Sequence, residues 1–360
     1  MSRLRVVAWS TGTVGKHAIA GIDAHPDLDL VGVWVSDPAK VGRDAGELAG
    51  LGRKFGISAT NDKAALYALA PDAVVHTAMT DDRIFDAIED LIEILAHGIN
   101  VVSSGPVLLC YPWGLGLDEY VERIEAACAA GGSSLHVNGI DPGFANDVLP
   151  LVTSSLCQRI DLLRVSEIAD YSTYYQPVVM RDLFGFGKPL DEDGFLWTPG
   201  VLTMAWGPVV RALADALEVD LDADLIEKVE KATADRDLDT VSVKAAAGTM
   251  AAVRFSVTGT VEGTPRIVLE HVTRLAEDLC PDWPQPPSGG GCYRVEFEGQ
   301  PNIVLDMVHR GEAGDHNVSG MVTTAMRLVN AVAAVCAANP GLVLAKDLLG
   351  VTGRGLISRT

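Results

Sequence analysis

Residues 3–25 read RLRVVAWSTGTVGKHAIAGIDAH, and this stretch decides the fold. A short apolar run ends in Ser10-Thr11-Gly12-Thr13-Val14-Gly15 and passes directly into an amphipathic helical pattern. Gly12 lets the backbone approach a bound pyrophosphate, and Gly15 lets the helix pack closely on the strand. Ser10 stands where a full G-x-G-x-x-G would carry its first glycine. The helix start offers free N–H groups and the positive end of its dipole to phosphate. Ser10, Thr11, Gly12, Thr13, Val14 and Gly15 are therefore the expected cradle of a dinucleotide.

Working outward, further apolar runs follow at DLVGVWV (29–35), GISAT (56–60), PDAVVHTA (71–78), GINVVSS (98–104) and SSLHVNG (133–139). Helical patterns lie over 82–97 and about 117–130. Strands alternating with helices predict an α/β, doubly wound parallel sheet, a Rossmann domain of six strands over residues 1–145. From about residue 143 the pattern changes. PGFANDVLPLVTSSL (142–156) reads as a long linking helix, and RIDLLRVSEIADY (159–171) as a half-exposed strand. More strands are expected within 242–261, 266–276, 292–299 and 302–309. With few helices between them they predict an α+β domain with a mainly antiparallel sheet over 146–318. The last helix, 319–341, is apolar on more than one side, so the segment 319–360 is expected to pack back between the domains.

Composition narrows the function. The net charge of −20 repels phosphate backbones, which excludes nucleic acid as a partner. No run of about 18 residues is free of polar interruptions, so no membrane span is expected, and the N-terminal apolar run is too short for a signal peptide. The six cysteines are widely spaced with no C-x-x-C, the pattern of buried thiols in a reducing cytoplasm, and no Cys/His cluster suggests a metal.

The end of the second strand chooses the cofactor. It reads Val35-Ser36-Asp37-Pro38-Ala39-Lys40, with Arg43 following. A hydroxyl at the tip with Lys40 nearby suits a 2′-phosphate, so NADP(H) is favoured. Asp37, with Lys40 and Arg43 merely solvated, leaves NAD(H) open. Ligands of open α/β sheets lie beyond the carboxyl ends of the strands, which places Thr77, Ala78, Ser103, Ser104 and Asn138 around the nicotinamide. Beyond them, Asp141 is either a proton donor raised by burial or the cap of a helix starting at Pro142. Tyr171, Tyr174 and Tyr175 form either a substrate wall or an aromatic core. Glu167 is either a catalytic acid or the partner of Arg164 or Arg181. His271 is a strand histidine within reach of the cleft, His136 is core, and His309 with His316 flank an acidic turn and read as surface residues. Lys188, within FGFGKPL, reads as a solvated loop residue beside a possible hinge.

Four stretches together carry a family resemblance: STGTVG (10–15), KVGRDAGELAG (40–50), VNGIDPGFANDVLPLV (137–152) and NAVAAVCAANPGLVLAKDL (330–348). In this order they resemble the dihydrodipicolinate-reductase-like proteins, and within them the branch of 2,4-diaminopentanoate dehydrogenase and the native amine dehydrogenases. The resemblance implies a Rossmann domain, a second domain whose sheet pairs two copies into a homodimer, and hydride transfer between NAD(P)H and an imine. It also implies that the tyrosine segment and His271 face the substrate. One family segment differs. Amine dehydrogenases carry a Cys-Glu-Glu-Leu-Ser-Tyr-Pro-like stretch whose glutamate handles ammonia, whereas this chain has Ser103-Ser104-Gly105-Pro106, then Tyr111-Pro112-Trp113 with no acid before it. The His-His and Lys segment of true dihydrodipicolinate reductases is missing too.

The expected activity is an NAD(P)-dependent oxidoreductase acting between NADPH and a small apolar imine or ketone, as in reductive amination. Asp141, Tyr174 and Glu167 are the candidate catalytic groups, and Phe144, Tyr171, Tyr175 and His271 the substrate wall. Two other readings stand beside it: a carbonyl or alcohol oxidoreductase with a tyrosine donor and no ammonia, and a non-catalytic NADP-binding sensor.

Overall fold

The computed structural model describes residues 2–192, 194–312 and 314–357. Two compact units emerge, one formed by Met1–Ile140 with Met321–Thr360 and the other by Asp141–Gly320.

In the first unit, strands β1 (Leu4–Trp9), β2 (Leu28–Trp34), β3 (Ala73–His76), β4 (Asn100–Ser103) and β5 (Ser134–Val137) build a wholly parallel sheet. The order is Gly341–Leu342, β5, β4, β3, β1, β2. Helix α1 (Gly15–Ala24) follows β1, α2 (Ile84–Ala96) follows β3 and α3 (Asp118–Gly131) follows β4. Ala87, Ile88, Leu91, Ile94 and Leu95 recur at helical spacing on α2 and are all buried, the last four in one apolar cluster with Val7, Trp9 and Val101.

One expected strand is corrected here. GISAT (56–60) makes only isolated bridges, Trp34 with Thr60 and Asp44 with Ser58. Its backbone pairs locally with the 42–45 loop, where Gly42 N–H donates to the Ala59 carbonyl and Ala45 N–H to that of Ile57. The Asp44 carboxylate accepts from Phe55 and Gly56 N–H and fixes that loop. The sixth place in the sheet goes instead to Gly341–Leu342, beside β5.

The second unit begins with a short helix α4 (Val148–Ser154) rather than the long linking helix expected from residue 142. Asp147 caps it through Val148 N–H, and turns occupy the residues before it. Then come β6 (Arg159–Asp170), α5 (Val201–Ala216), β7 (Ile226–Thr233), β8 (Met250–Val261), β9 (Thr264–Arg274), β10 (Gly291–Gln300) and β11 (Ile303–Met307). Their order is β11-β10-β6-β9-β8-β7, antiparallel except for the parallel pair β6–β9. Helix α5, with Pro208 inside it, buries Leu202, Val209, Val210 and Leu213.

The final helix, α6 (His316–Cys336), is long and apolar enough by length and composition to cross a membrane. Its apolarity has a structural use, since Ala325, Leu328, Val329, Ala331, Val332 and Val335 are all 0–1% exposed in the first unit's core.

Candidate active site

The loop after β1 has the shape a dinucleotide needs. Ser10 takes a φ of +101°, and its hydroxyl accepts from Gly12 N–H at 3.2 Å. A Cβ on Gly15 would collide with the Ser10 carbonyl and stand 3.0 Å from Thr77 Oγ1, so no side chain fits between α1 and β1. No side chain caps α1, and although Lys16 and His17 N–H donate to the Gly12 and Val14 carbonyls, the positive end of its dipole favours an anion at this loop. Lys40 Nζ lies 3.2 Å from Thr11 Oγ1, folded over the same loop. Asp37 is engaged elsewhere, accepting from Ala39 N–H at 2.9 Å as the cap of the turn Pro38–Lys40, and Arg43 pairs with Glu47 at 2.8 Å. Ser36 is exposed. These residues fit a nicotinamide dinucleotide.

The strand tips divide. Thr77 Oγ1 donates to the Trp9 carbonyl at 3.3 Å, tying β3 to β1, while Ala78 is half-buried. Ser103 turns inward: fully buried, its hydroxyl donates to the Gly105 carbonyl and lies 3.0 Å from His76 Nδ1. Ser104 N–H donates to the His76 carbonyl. Asn138, 2% exposed, accepts from Arg327 Nε at 3.1 Å.

In the second unit, strand register assembles a row that crosses the sheet. Phe255 on β8 pairs with His271 on β9, His271 with Glu167 on β6, and Glu167 with Tyr293 on β10. Cross-strand partners share a face, so the four side chains stand side by side. His271 stacks on Phe255 (centroids 4.9 Å, interplanar angle 6°) and meets the Trp206 edge at 5.0 Å. Its Nδ1 lies 3.0 Å from Glu167 Oε2, and its Nε2 lies 3.4 Å from Asp141 Oδ1. Both contacts are close enough for ion pairing, although their angles miss those of directed hydrogen bonds. Tyr171 donates to Glu167 Oε2 at 2.8 Å, and Asn146 Nδ2 donates to Asp141 Oδ1 at 2.6 Å.

Burial and charge oppose each other throughout this cluster. Burial alone would lower the His271 imidazole, but Asp141 and Glu167 outweigh it and raise it to about 10. For Glu167, burial pushes upward, and the cation of His271 with the Tyr171 hydroxyl prevails, so the carboxylate is held below its ordinary range. For Asp141, burial prevails over His271 and the neighbouring Glu167 charge adds to it, so that carboxyl is raised. Burial, with Glu167 alongside, also lifts the Tyr171 and Tyr293 phenols well above 10, so both remain protonated donors. Asp141, Glu167 and His271 each bring one ligand atom within a common 4.8 Å. The imidazole, however, turns a different nitrogen to each carboxylate, which suits a bridging imidazolium better than one metal sphere.

The structure thus gathers Asp141, Glu167, Tyr171 and His271 in one cluster. Tyr174, half-buried, packs against Tyr171 at a tilt of 33° with ring centroids 4.7 Å apart. Phe144 is half-buried, and Tyr175 stands 63% exposed. Asp141 does not cap a helix, because the helix starts at Val148 under Asp147. Glu167 does not pair with either expected arginine: Arg164 reaches Glu270 at 3.5 Å and Arg181 its neighbour Asp182 at 2.8 Å. His309 and His316 are corrected as well. His316 is 5% exposed and His309 half-buried, and their rings pack edge to face at 4.4 Å beside Tyr293. A signal for this lay in Gly289-Gly290-Gly291, since a Cβ on Gly291 would overlap the His316 ring. Phe184 and Phe186 of the FGFG segment are buried and stacked at 5.3 Å. His136 is fully buried, its Nδ1 2.8 Å from the Val343 carbonyl.

A parallel sheet with a dinucleotide loop, followed by an open mixed sheet carrying a buried acid–base row, defines a nicotinamide-dependent oxidoreductase. The comparisons give the particular family. Residues 144–353 match the model of the 2,4-diaminopentanoate dehydrogenase C-terminal domain. The chain is similar to an amine dehydrogenase of Streptomyces virginiae, 43% identical over 347 residues, which is 96% of each chain. It is 26% identical to the 2,4-diaminopentanoate dehydrogenase of Acetoanaerobium sticklandii over 74% of this chain and 70% of that one. The fold is that of an amine dehydrogenase from Mycobacterium smegmatis, with a TM-score of 0.77, 21% identity, and coverage of 98% of this chain and 97% of that chain. The chain belongs to the 2,4-diaminopentanoate dehydrogenase family and is an NAD(P)-dependent oxidoreductase.

Proposed function

We propose that the protein interconverts a small, mostly apolar amine with its imine or ketone, using NADP(H) in preference to NAD(H). The observation that carries this is the Asp141–His271–Glu167 row: two buried carboxylates share one imidazolium and keep a net negative charge for a substrate cation. Ser36 and Lys40 support the phosphorylated cofactor, because Lys40 folds over the phosphate loop while Asp37 is tied up as a cap. The loop Ser10–Gly15 would hold the pyrophosphate, and Thr77, Ala78, Ser104 and Asn138 belong near the nicotinamide.

The bound nicotinamide supplies or accepts the hydride. The protein's own work is proton management and charge. In the direction of amine oxidation, Glu167 takes a proton from the substrate ammonium, which frees the nitrogen lone pair. As the iminium forms, Glu167 holds the proton it took and the positive charge faces the Asp141 carboxylate, so the cluster favours the product of the step over the neutral amine. Asp141, raised by burial, exchanges a proton more readily near neutrality than an ordinary carboxyl and serves the hydrolysis of the iminium. His271 holds both carboxylates in place. Tyr171 and Tyr174, with Phe144, line the substrate, and the exposed Tyr175 stands at its margin.

A second reading has one observation in its favour. The tip of β4 presents Ser103, Ser104 and Gly105, with no acid to handle ammonia there. Reduction of a carbonyl with Tyr174 as donor needs none. One assay separates the two: NADPH oxidation with butanone, cyclohexanone and pentanal, with and without excess ammonium chloride. Turnover only with ammonia supports the amine reading, and turnover without it supports the carbonyl reading. Tight NADPH binding without turnover of any of them would leave a dinucleotide sensor. The proposal includes a cytoplasmic homodimer; all six cysteines are free, as a reducing compartment requires, and sedimentation equilibrium tests the dimer.

A further inference from the structure

Amine oxidation leaves a proton to dispose of. The overall change takes an ammonium R2CH–NH3+, NADP+ and water to a ketone, NH4+, NADPH and one H+. The C–H pair leaves as hydride, the N–H proton goes to Glu167, and the nitrogen lone pair closes the C=N bond that water then hydrolyses. Glu167 is only 7% exposed, so its proton needs a way out before the next turnover.

Side chains on the far side of Glu167 offer one. Tyr293 is its register partner on β10 and hydrogen-bonds to it. The Tyr293 ring lies 5.3 Å from His309 and 5.6 Å from His316, and the two imidazoles stand 4.4 Å apart at 84°. Centroids this close put the ring edges in contact. None of the four imidazole nitrogens has a directed hydrogen-bond partner among the described residues, although they are buried. Buried nitrogens without directed partners are costly unless they serve a purpose, and among the described residues only His309 has a backbone group, that of Ser319, within reach. Gly291 and Gly320 make the room: a Cβ on Gly291 would strike His316, and one on Gly320 would come within 3.7 Å of the Tyr293 hydroxyl and 3.9 Å of His309.

We infer that Tyr293, His309 and His316 form a proton relay that carries the proton collected at Glu167 to solvent. This inference rests on the role of Glu167 proposed above. The Glu167 carboxyl passes its proton to the Tyr293 oxygen as the phenol passes its own to an imidazole nitrogen. The other nitrogen of that ring releases a proton in turn, and the phenol O–H and the imidazole tautomer reset before the next turnover. His316 is 5% exposed and His309 half-buried, so the route runs from the interior outward. Burial lowers both imidazoles, and each lowers or faces the other; Glu167 faces both, Asp315 and Arg310 face His316, and the Ser319 backbone faces His309. With His309 pushed down to about 4, its ring is neutral at working pH and carries one donor and one acceptor, as a relay requires.

The test uses the full-length enzyme, butan-2-amine and NADP+, with His309→Ala and the closer-fitting His309→Asn, at constant pH and ionic strength. The relay predicts that kcat falls about tenfold in weak buffer while KM for the amine stays within about twofold. It also predicts that added imidazole restores kcat saturably and that the solvent deuterium isotope effect on kcat rises. Wild-type kcat in both variants, or a loss that imidazole does not restore in either, overturns the relay. Glu167→Gln separates this from the underlying reading. If it is inactive with and without imidazole, the role of Glu167 stands whatever the histidine variants do; if it keeps wild-type kcat, that role and the relay fall together.

Discussion

His271 stands between two buried carboxylates, its Nδ1 3.0 Å from Glu167 and its Nε2 3.4 Å from Asp141. Removing one member of such a set strands the others, and an uncompensated buried charge costs more than the intact set contributes. His271→Gln roughly keeps the size and an N–H donor for one carboxylate but removes the cation. We predict a destabilisation on the order of 3 kcal/mol in urea unfolding. Adding Glu167→Gln should recover part of it, because one stranded charge then disappears. A single variant within about 0.5 kcal/mol of wild type would place the stabilising cation elsewhere.

The same cluster predicts how stability varies with pH. The folded value of His271, about 10, lies above its ordinary 6.5, so its contribution is fully present below 6.5 and is lost as pH rises through about 10. Glu167 is lowered from 4.5, so its contribution is present above that value and is lost on acidification. Asp141 is raised from 3.8 and opposes the fold once the pH exceeds that value. The three protons belong to the cluster as a whole, and the cleanest measurement is therefore a difference. The gap in Tm between wild type and His271→Gln should narrow as pH is taken from 7 through 10. A gap that stays constant contradicts an imidazolium at this position.

The loop Ser10–Gly15 was legible in the sequence because its physics is local: a strand, a tight turn and a helix start lie within about fifteen residues. The alternation that follows was legible for the same reason, down to α2 and α3 within two residues at each end. GISAT misled because a short apolar run carries no record of which neighbour its backbone pairs with. The site in the second unit was legible only as a collection. Glu167, His271 and Asp141 could each be singled out by type, but their meeting depends on the β6–β9 register, which the long-range packing of the sheet sets. His309 and His316 were misread because the acidic turn between them looks solvated, and the one signal, the glycine run that leaves a gap at Gly291 for His316, lies about 25 residues away in the sequence.

The proposed preference for NADP(H) rests on Lys40. Its ammonium lies 3.2 Å from Thr11 on the phosphate loop, whereas Asp37 is occupied by Ala39 N–H. Lys40→Glu removes a charge-assisted contact and adds repulsion to a 2′-phosphate, together about 1.5–3 kcal/mol, or roughly 10–100-fold in binding. KM for NADPH should rise by that factor while KM for NADH changes little. Equal changes for the two would mean that Lys40 does not read the phosphate.

Two glycines in one loop separate folding from cofactor binding. A Cβ on Gly15 collides with the Ser10 carbonyl, a backbone atom that cannot swing aside. Gly15→Ala should therefore cost about 1–3 kcal/mol of stability through overpacking, even without any ligand. A Cβ on Gly12 meets only the Ser10 hydroxyl at 3.5 Å, an ordinary contact, so Gly12→Ala should unfold like wild type. If, as proposed, the pyrophosphate comes close to the backbone at Gly12, a methyl group there stands in its way. Calorimetric titration with NADPH should show the loss of affinity in Gly12→Ala, and the rise in Tm at saturating NADPH should shrink with it. If Gly12→Ala binds NADPH as wild type does, the pyrophosphate does not cross the loop at that residue.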